Sequence, residues 1–350
     1  MAATAYPGGS NTYVPNLEAT GHMIVSFSRN PDSFALNRYI QVIPVTKDVG
    51  LYTRMGVQAA SRILNTNLAD RKWADNGKRP SGKGNTETHA FEEYRTARYS
   101  YGWELGWKGT QQASWDIVAQ HNRFNGQNAM TARTQLVHSI LATALTQTSA
   151  VTSITGVTGQ WDLSTTARKD IERSLDYAFE TIMKATQGAI TNPADLKLVM
   201  APETARKIKV CQEIVDYIKG SPDARADLEG KLGPASQFGL PRYLYGYEVV
   251  IENAVKTTNK RGGTSAKSFI MDSDKPMLVS RPGSLTAPDS PAVDQPAPSF
   301  STLSLFAYEE MTVEEFQDTK NRLTEGYVTD DVVPIATAPI SGFLFTDALS

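Results

Sequence analysis

The stretch Gly77-x-x-x-x-Gly82-Lys83 has the spacing of a phosphate-binding P-loop, in which backbone amides and a lysine hold nucleotide phosphates. A working P-loop follows a buried strand and opens a helix whose first amides face the phosphate. Here residues 70–76 are mostly charged or polar, and Gly84 replaces the Ser or Thr that would bind magnesium. The context therefore favours a solvated loop. A nucleotide-binding enzyme using this loop is the third function considered.

No other residues have the spacing of a catalytic or metal site. Metal sites need clustered ligands, whereas the four histidines lie in separate segments without any i, i+4 pair, at His22, His89, His121 and His138. The sequence has no Gly-x-Ser-x-Gly elbow, and its single cysteine, Cys211, lies in a stretch that predicts the middle of a helix. The sequence therefore predicts no catalytic residue, no cofactor and no metal, and indicates that the protein is not an enzyme.

An acidic run near the C-terminus could supply the paired carboxylates of acid–base catalysis. Its members are Glu309, Glu310, Glu314, Glu315 and Asp318. On a strand, however, adjacent residues such as Glu309 and Glu310 point to opposite faces. The run is therefore interpreted as a solvated or interfacial surface.

The composition is that of an ordinary globular protein. The chain has 350 residues, enough for about two domains, of which 40% are hydrophobic and 21% charged. A net charge of -2 gives no long-range attraction to DNA or to an anionic membrane. No run approaches the roughly 18 apolar residues of a membrane span, so no membrane partner is expected. We also expect no secretory signal.

The first third of the chain predicts extended segments. Residues 1–64 combine Gly- and Pro-rich stretches with short β-type runs, which indicates an arm that lies on another body. Residues 65–108 place a polar tip between two flanks able to pair, which indicates a long β-hairpin loop. A helix over 110–124, ended by Asn125-Gly126, completes this part.

The rest of the chain alternates helical and strand patterns. A helix about 30 Å long is predicted over 126–148, with Val137 and Leu141 on its apolar stripe. Thr165 or Thr166 is expected to cap the next helix. A strand is predicted over 195–203, followed by one continuous helix over 204–220. A Pro-rich connector then leads to a long antiparallel ladder that runs to the C-terminus.

The order of these segments resembles the major capsid proteins of tailed bacteriophages, which have the Hong Kong 97-like fold. The resemblance is carried by the helix–strand–helix of 165–209, the strand segment 238–255 and the closing ladder 296–349. It implies an α+β fold with five parts: an N-terminal arm (1–64), an extended hairpin loop (65–108), a peripheral domain with a long spine helix (109–164) and a β ladder (301–350), and an α/β axial domain (165–300).

The resemblance also implies a function. The chain would be a major capsid protein that self-assembles, as hexamers and pentamers, into an icosahedral shell. The shell would enclose the double-stranded DNA genome of a tailed virus without sequence-specific binding. A separate scaffold and a portal protein would be partners, and the location would be the virion, assembled in the host cytoplasm. The alternative is an encapsulin-type nanocompartment shell, which would bind enzyme cargo.

Two oppositely charged segments are candidate interface sites between subunits. The basic loop is the positive group near the tip of the hairpin, comprising Arg71, Lys72, Lys78, Arg79 and Lys83. The acidic run of 309–318 is the negative one. In the family that the chain resembles, the extended loop lies over the peripheral region of an adjacent subunit. We therefore hypothesise that the two segments meet between subunits, the alternative being that both are solvated.

Overall fold

The computed structural model describes residues 34–55, 72, 73, 75, 77, 89–113, 116–229, 237–257, 266–281 and 301–350. The helices are α1 (Leu36–Tyr39), α2 (Trp107–Gln112), α3 (Ile117–Ala144), α4 (Asp170–Ala185), α5 (Pro202–Ile208), α6 (Gln212–Gly220) and α7 (Pro222–Leu228). The strands are β1 (Gln41–Pro44), β2 (Val49–Met55), β3 (His89–Arg95), β4 (Ala97–Gly106), β5 (Gln147–Ala150), β6 (Leu196–Met200), β7 (Tyr243–Leu244), β8 (Tyr247–Ile251), β9 (Val255–Thr257), β10 (Lys267–Phe269), β11 (Met277–Ser280), β12 (Ser304–Asp318), β13 (Leu323–Ile335) and β14 (Phe343–Thr346).

Two sheets organise the described residues. A six-stranded mixed sheet runs in the order β5-β14-β11-β6-β8-β7, and a four-stranded sheet runs in the order β1-β12-β13-β4. Two-stranded ribbons, β2–β3 and β9–β10, complete the strand pairing. The combination of helices with mixed sheets is the α+β class that the sequence predicts. None of the helices in the described part has both the length and the apolarity to span a bilayer.

Helix α4 covers the larger sheet with the apolar stripe that its sequence predicts. Ile171, Leu175, Ala178 and Ile182 are fully buried in one core cluster with residues of the sheet strands. The helix ends near Gly188, whose φ of +81° lies in the left-handed region that glycine adopts without strain.

The predicted cap of α4 by Thr165 or Thr166 is wrong. The helix begins at Asp170, and its first amides are instead bound by the carboxylate of Glu213 on α6. The amides of Ile171 and Glu172 donate to the two oxygens of Glu213, at 3.1 and 2.9 Å. A side chain 41 and 42 residues along the chain from these amides therefore caps the helix, and an anion at a helix N-terminus is also stabilised by the helix dipole.

The long helix α3 is one continuous element rather than two helices separated by Asn125-Gly126. It contains 28 residues and is therefore about 42 Å long. A glycine inside a helix costs only about 1 kcal/mol relative to alanine. Asn125 gains a partner in return, because its amide donates to the carbonyl of Tyr101 on β4 at 3.1 Å. Asp116 caps the start of the helix by accepting from the amide of Ala119 at 2.9 Å.

The predicted apolar stripe of α3 packs against the ladder formed by β12 and β13. Val137 and Leu141 are fully buried in a second core cluster. That cluster includes Leu305 of β12 and Val332 of β13, together with Tyr39 of α1. The long helix therefore joins the four-stranded sheet to the described part of the N-terminal arm.

The single helix predicted over 204–220 is broken into α5 and α6. Cys211 is the N-cap of α6, not a mid-helix residue. The break is stabilised by a tertiary contact, since it orients Glu213 towards the start of α4. Such a contact leaves no signal in the local pattern.

Two strands of the larger sheet depart from the sequence analysis. The ladder ends at Ile335, and the last strand, β14, pairs with β11 and β5 in the six-stranded sheet instead of extending the ladder. Strand β11, in the interior of that sheet, was not predicted. The proposed domain boundaries at 164 and 301 remain a prediction, although β5 and β14 lie in the sheet built mainly from 165–300.

Candidate functional site

The acidic run lies on β12, where its first two members bind cations of the same chain. Glu309 lies 3.9 Å from the guanidinium of Arg98 on β4. Glu310 accepts a hydrogen bond from Arg133 of α3 at 2.8 Å. Glu309 lies opposite Asp331, which also binds Arg98, whereas Glu310 shares Arg133 with Asp330, so the two carboxylates point to opposite faces of the sheet. The sequence analysis expected this alternation.

Arg133 is a buried cation between α3 and the sheet. Its Nε and Nη2 donate to the two oxygens of Asp330 on β13, at 3.0 and 2.5 Å. The side chains of both residues are at most 3% exposed. Burial disfavours the charge, but hydrogen bonds to Asp330 and Glu310 outweigh it and raise the pKa of Arg133. The pair therefore fixes the position of the long helix on the ladder, and Glu310 is part of this structural network.

Two further members of the acidic run also have partners within the chain. Glu315 accepts from the side-chain amide of Asn122 on α3 at 2.7 Å. Asp318 accepts from the backbone amides of Lys320 and Asn321, at 2.8 and 3.1 Å, and so stabilises the turn between β12 and β13. These hydrogen bonds lower the pKa of Asp318. Glu314 is the member that remains exposed on the face away from α3.

Register places other acidic residues beside Glu314. Glu315 contacts α3, so Glu314 and Phe316 must face away from the helix. Glu314 lies opposite Tyr327, Phe316 lies opposite Glu325, and Glu325 lies opposite Glu104 of β4. We call this surface the outer acidic face: Glu104, Glu314, Phe316, Glu325 and Tyr327.

The outer acidic face combines carboxylates with an aromatic pair. The rings of Phe316 and Tyr327 are 6.2 Å apart, and Phe316 is 54% exposed. Glu104 and Glu325 are directly cross-strand, where like charges destabilise a sheet. A cationic partner would relieve that repulsion. The sequence analysis missed this cluster, because its members come from three strands that are distant in the chain.

Most of the basic loop lies outside the described residues. Lys72 is described and exposed, whereas Arg71, Lys78, Arg79 and Lys83 are among the residues left undescribed. The P-loop-like stretch falls outside as well, apart from Gly77. Trp73, beside Lys72, is 63% exposed, and its indole N–H donates to the carbonyl of Gly77 at 2.8 Å. The contact between the basic loop and the acidic run therefore stays a prediction.

Strands β2 and β3, which flank the loop in the sequence, pair as a two-stranded ribbon. Its inner face packs on the four-stranded sheet, where Tyr94 stacks on Phe306 with ring centroids 4.8 Å apart. Its outer face carries Val49, Leu51 and Phe91, which are 40%, 62% and 69% exposed. The strand that pairs with 89–95 is 49–55, upstream of the segment 65–108 in which the sequence analysis placed both flanks.

The described residues hold no group of three or more His, Cys, Asp or Glu side chains placed to bind a metal ion. Cys211 is buried, and burial raises the pKa of its thiol to about 11, so it is a poor nucleophile at neutral pH. His121 lies against Trp103, and His138 lies in the core.

No protein-family model and no curated protein matches the sequence. Solved structures do match over nearly the whole chain. A phage-related protein from Bordetella bronchiseptica RB50 is 17% identical, with a TM-score of 0.55 over 91% of this chain and 94% of its own. The mature capsid of bacteriophage PhiM1 is 13% identical, with a TM-score of 0.55 over 93% and 90%. A structure from Mycobacterium phage Che8 is 12% identical, with a TM-score of 0.51 over 98% and 100%. The chain thus has the α+β, Hong Kong 97-like capsid fold that the order of its segments predicted.

Proposed function

We propose that this protein is the major capsid protein of a tailed double-stranded DNA virus. Many copies would assemble, as hexamers and pentamers, into the shell that encloses the genome, with a separate scaffold and a portal protein as partners. The observation that carries the proposal is the fold match to phage capsid structures over nearly the full length of both chains. The role is structural rather than enzymatic, and the protein would be found in the virion after assembly in the host cytoplasm.

Surface chemistry supports this proposal independently of the match. The outer face of the ribbon exposes Leu51 and Phe91 beside each other on a two-stranded sheet, although the inner face is already packed. Exposed apolar side chains grouped on one surface are typical of protein–protein contact surfaces. A subunit that must bind several neighbours needs such surfaces in addition to its own core.

Assembly of the purified chain tests the proposed function. The full chain, concentrated after purification, is expected to form closed shells far larger than one subunit, visible by negative-stain electron microscopy. Leu51→Glu with Phe91→Glu should prevent shell formation without unfolding the subunit, because both side chains are exposed in the isolated chain. Circular dichroism and thermal unfolding of the variant provide the folding control. A uniform small oligomer for the wild type under all assembly conditions would contradict the proposal, and shells filled with a protein cargo would favour the encapsulin alternative.

We further propose that the basic loop of one subunit binds the outer acidic face of a neighbour. The sequence analysis paired the basic loop with the acidic run of 309–318. The present proposal keeps the basic loop and replaces the acidic run by the outer acidic face. Glu309, Glu310, Glu315 and Asp318 bind groups on α3, on β4 or in the β12–β13 turn, whereas Glu104, Glu314 and Glu325 lie on the outer acidic face, where Glu325 also accepts from the hydroxyl of Tyr327 at 3.0 Å. The exposed Trp73, next to Lys72, suits a surface that also carries Phe316 and Tyr327.

Charge reversal tests this contact. Lys78, Arg79 and Lys83, all changed to Glu, should block shell formation at low salt, and changing Glu104, Glu314 and Glu325 to Lys in the same chain should partly restore it. The defect should shrink as salt rises, because the Debye length falls from about 10 Å at 0.1 M to about 3 Å at 1 M. Light scattering measures assembly. A control with the same change in net charge reverses Lys184, Lys219 and Arg225, which lie on α4, α6 and α7. Wild-type assembly of the loop variant at low salt would mean that both surfaces are solvated.

A further inference from the structure

Three polar side chains from distant parts of the chain meet in the core beneath the N-terminal arm. The hydroxyl of Tyr39, at the end of α1, lies 2.8 Å from Nε2 of His138 on α3. The same hydroxyl lies 3.2 Å from Oε2 of Glu252, which follows β8. Tyr39 and Glu252 are at most 1% exposed and His138 is 7% exposed. We call these three residues the buried polar cluster.

The hydrogen bonds of the cluster define its protonation. The hydroxyl of Tyr39 has one proton, which it donates to Glu252. Its oxygen is then an acceptor for Nε2–H of a neutral His138. The other oxygen of Glu252 accepts from the amide of Ala254 at 3.0 Å, which holds the carboxyl group in place. The cluster is therefore satisfied with the imidazole uncharged.

The surroundings of His138 oppose a positive charge. Burial lowers the pKa of His138 to about 4. The elements packed around it contribute apolar side chains to the same core cluster, among them Leu36, Leu141 and Met271. A cation on each of the two helices that meet here is already paired: Arg133 of α3 with Asp330 and Glu310, and Arg38 of α1 with Glu248. Across Tyr39, Glu252 is the titratable group that faces the imidazole.

The cluster also joins the arm to the body. Leu36, Tyr39 and Ile40 bury their side chains against α3 and the sheets, and Arg281 donates to the carbonyl of Asn37. Strand β1 then pairs with β12. Within this attachment, Tyr39 is the residue whose polar atom contacts both α3 and the end of β8.

We propose that the buried polar cluster is an acid-sensitive latch, in which protonation of His138 weakens the attachment of the arm segment 36–45 to the body. A charged imidazole in this site would have to be stripped of water, and the hydroxyl of Tyr39 separates it from the carboxylate of Glu252, so no direct ion pair compensates the charge. Opening the site returns the ring to solvent, where it holds the proton freely.

The direction and size of the effect follow from linkage. The imidazole is harder to protonate in the closed latch than in solvent, because burial lowers its pKa. The closed latch is therefore fully stable above pH 6.5 and loses stability as the pH falls from 6.5 towards 4. Below pH 4 its stability changes little. With a pKa of about 4 when closed and about 6.5 when open, the opening equilibrium should rise about 20-fold between pH 7 and pH 5. Glu248 does not lose its charge in this range, because its bonds to Lys197 and Arg38 lower its pKa despite partial burial.

Hydrogen exchange of the full chain tests the latch. Protection factors, which correct for the intrinsic pH dependence of exchange, are measured by mass spectrometry for peptides covering 36–45. In the wild type they should fall about 20-fold from pH 7 to pH 5. In His138→Gln they should stay nearly constant, because the glutamine amide can donate to Tyr39 and does not titrate. His121→Gln, on the same helix but outside the cluster, should behave as the wild type.

Two results would overturn the proposal: an equal loss of protection in His138→Gln and in the wild type, or no loss in the wild type. Should His138→Gln fail to fold, the imidazole resonances of the wild type decide the question. Titration of His138 that coincides with arm opening supports the latch. Titration without any change in the protection of 36–45 refutes it.

Discussion

Arg133→Ala is expected to lower the free energy of unfolding by about 3–5 kcal/mol, because it leaves Asp330 buried without its counter-ion. The lost contacts are the two hydrogen bonds to Asp330 and the one to Glu310. Asp330 is 2% exposed and cannot be solvated where it stands. Urea unfolding of the unassembled chain, followed by circular dichroism, measures the change.

A paired replacement and an exposed cation provide the controls. Arg133→Met with Asp330→Leu removes both charges and is expected to restore most of the stability, since a buried ion pair adds little over well-packed apolar side chains. Lys184→Ala removes a cation that is 71% exposed and leaves a partner, Glu180, that is 56% exposed, so it should cost no more than about 1 kcal/mol. A loss within about 0.5 kcal/mol for Arg133→Ala would mean that Asp330 is hydrated and that the ladder is open at this point.

Leu141→Ala is expected to cost about 2–5 kcal/mol, which is the range for truncating a fully buried leucine. Leu141 is 1% exposed and lies in the cluster that joins α3 to the ladder and to the arm. The cavity would open between these three elements, so soluble yield should fall before assembly is affected. Thermal and urea unfolding measure the loss.

Gln135→Ala is the matched control for Leu141→Ala, because Gln135 is on the same helix and exposed. It should change stability by no more than about 0.5 kcal/mol, as ordinary surface substitutions do. A similarly small effect of Leu141→Ala would show that the apolar stripe of α3 faces solvent and that the helix lies in a different rotation on the ladder.

Local sequence patterns predicted the helices that bury one face and expose the other. Leu175 and Ile182 repeat at helical spacing, which was enough to place the buried face of α4. Val137 and Leu141 did the same for α3. The order of these elements then identified the fold. The pattern misled at Asn125-Gly126, where a glycine suggests the end of a helix. The helix continues because packing and the hydrogen bond from Asn125 to Tyr101 offset the cost of the glycine, about 1 kcal/mol.

The candidate site was predictable only in part. The run Glu309–Asp318 is visible as a charge cluster, but a sequence does not show which carboxylates find partners. Glu310 binds the buried Arg133, while Glu314 stays exposed. The difference depends on which face of β12 receives α3, and that is decided by packing across the whole sheet.

The amino-acid sequence by itself determined the α+β order of segments, the absence of a recognisable catalytic motif and the faces of its amphipathic helices, because these follow from residue type and from periods of two and 3.6 residues. Only the tertiary structure decided the rest. Glu213 caps a helix by binding the amide of Glu172, 41 residues earlier, Glu104 lies opposite Glu325, and Tyr39 meets His138 beneath the arm. Each of these contacts joins residues far apart in the chain, so its free energy depends on the packing of entire elements and not on any local pattern.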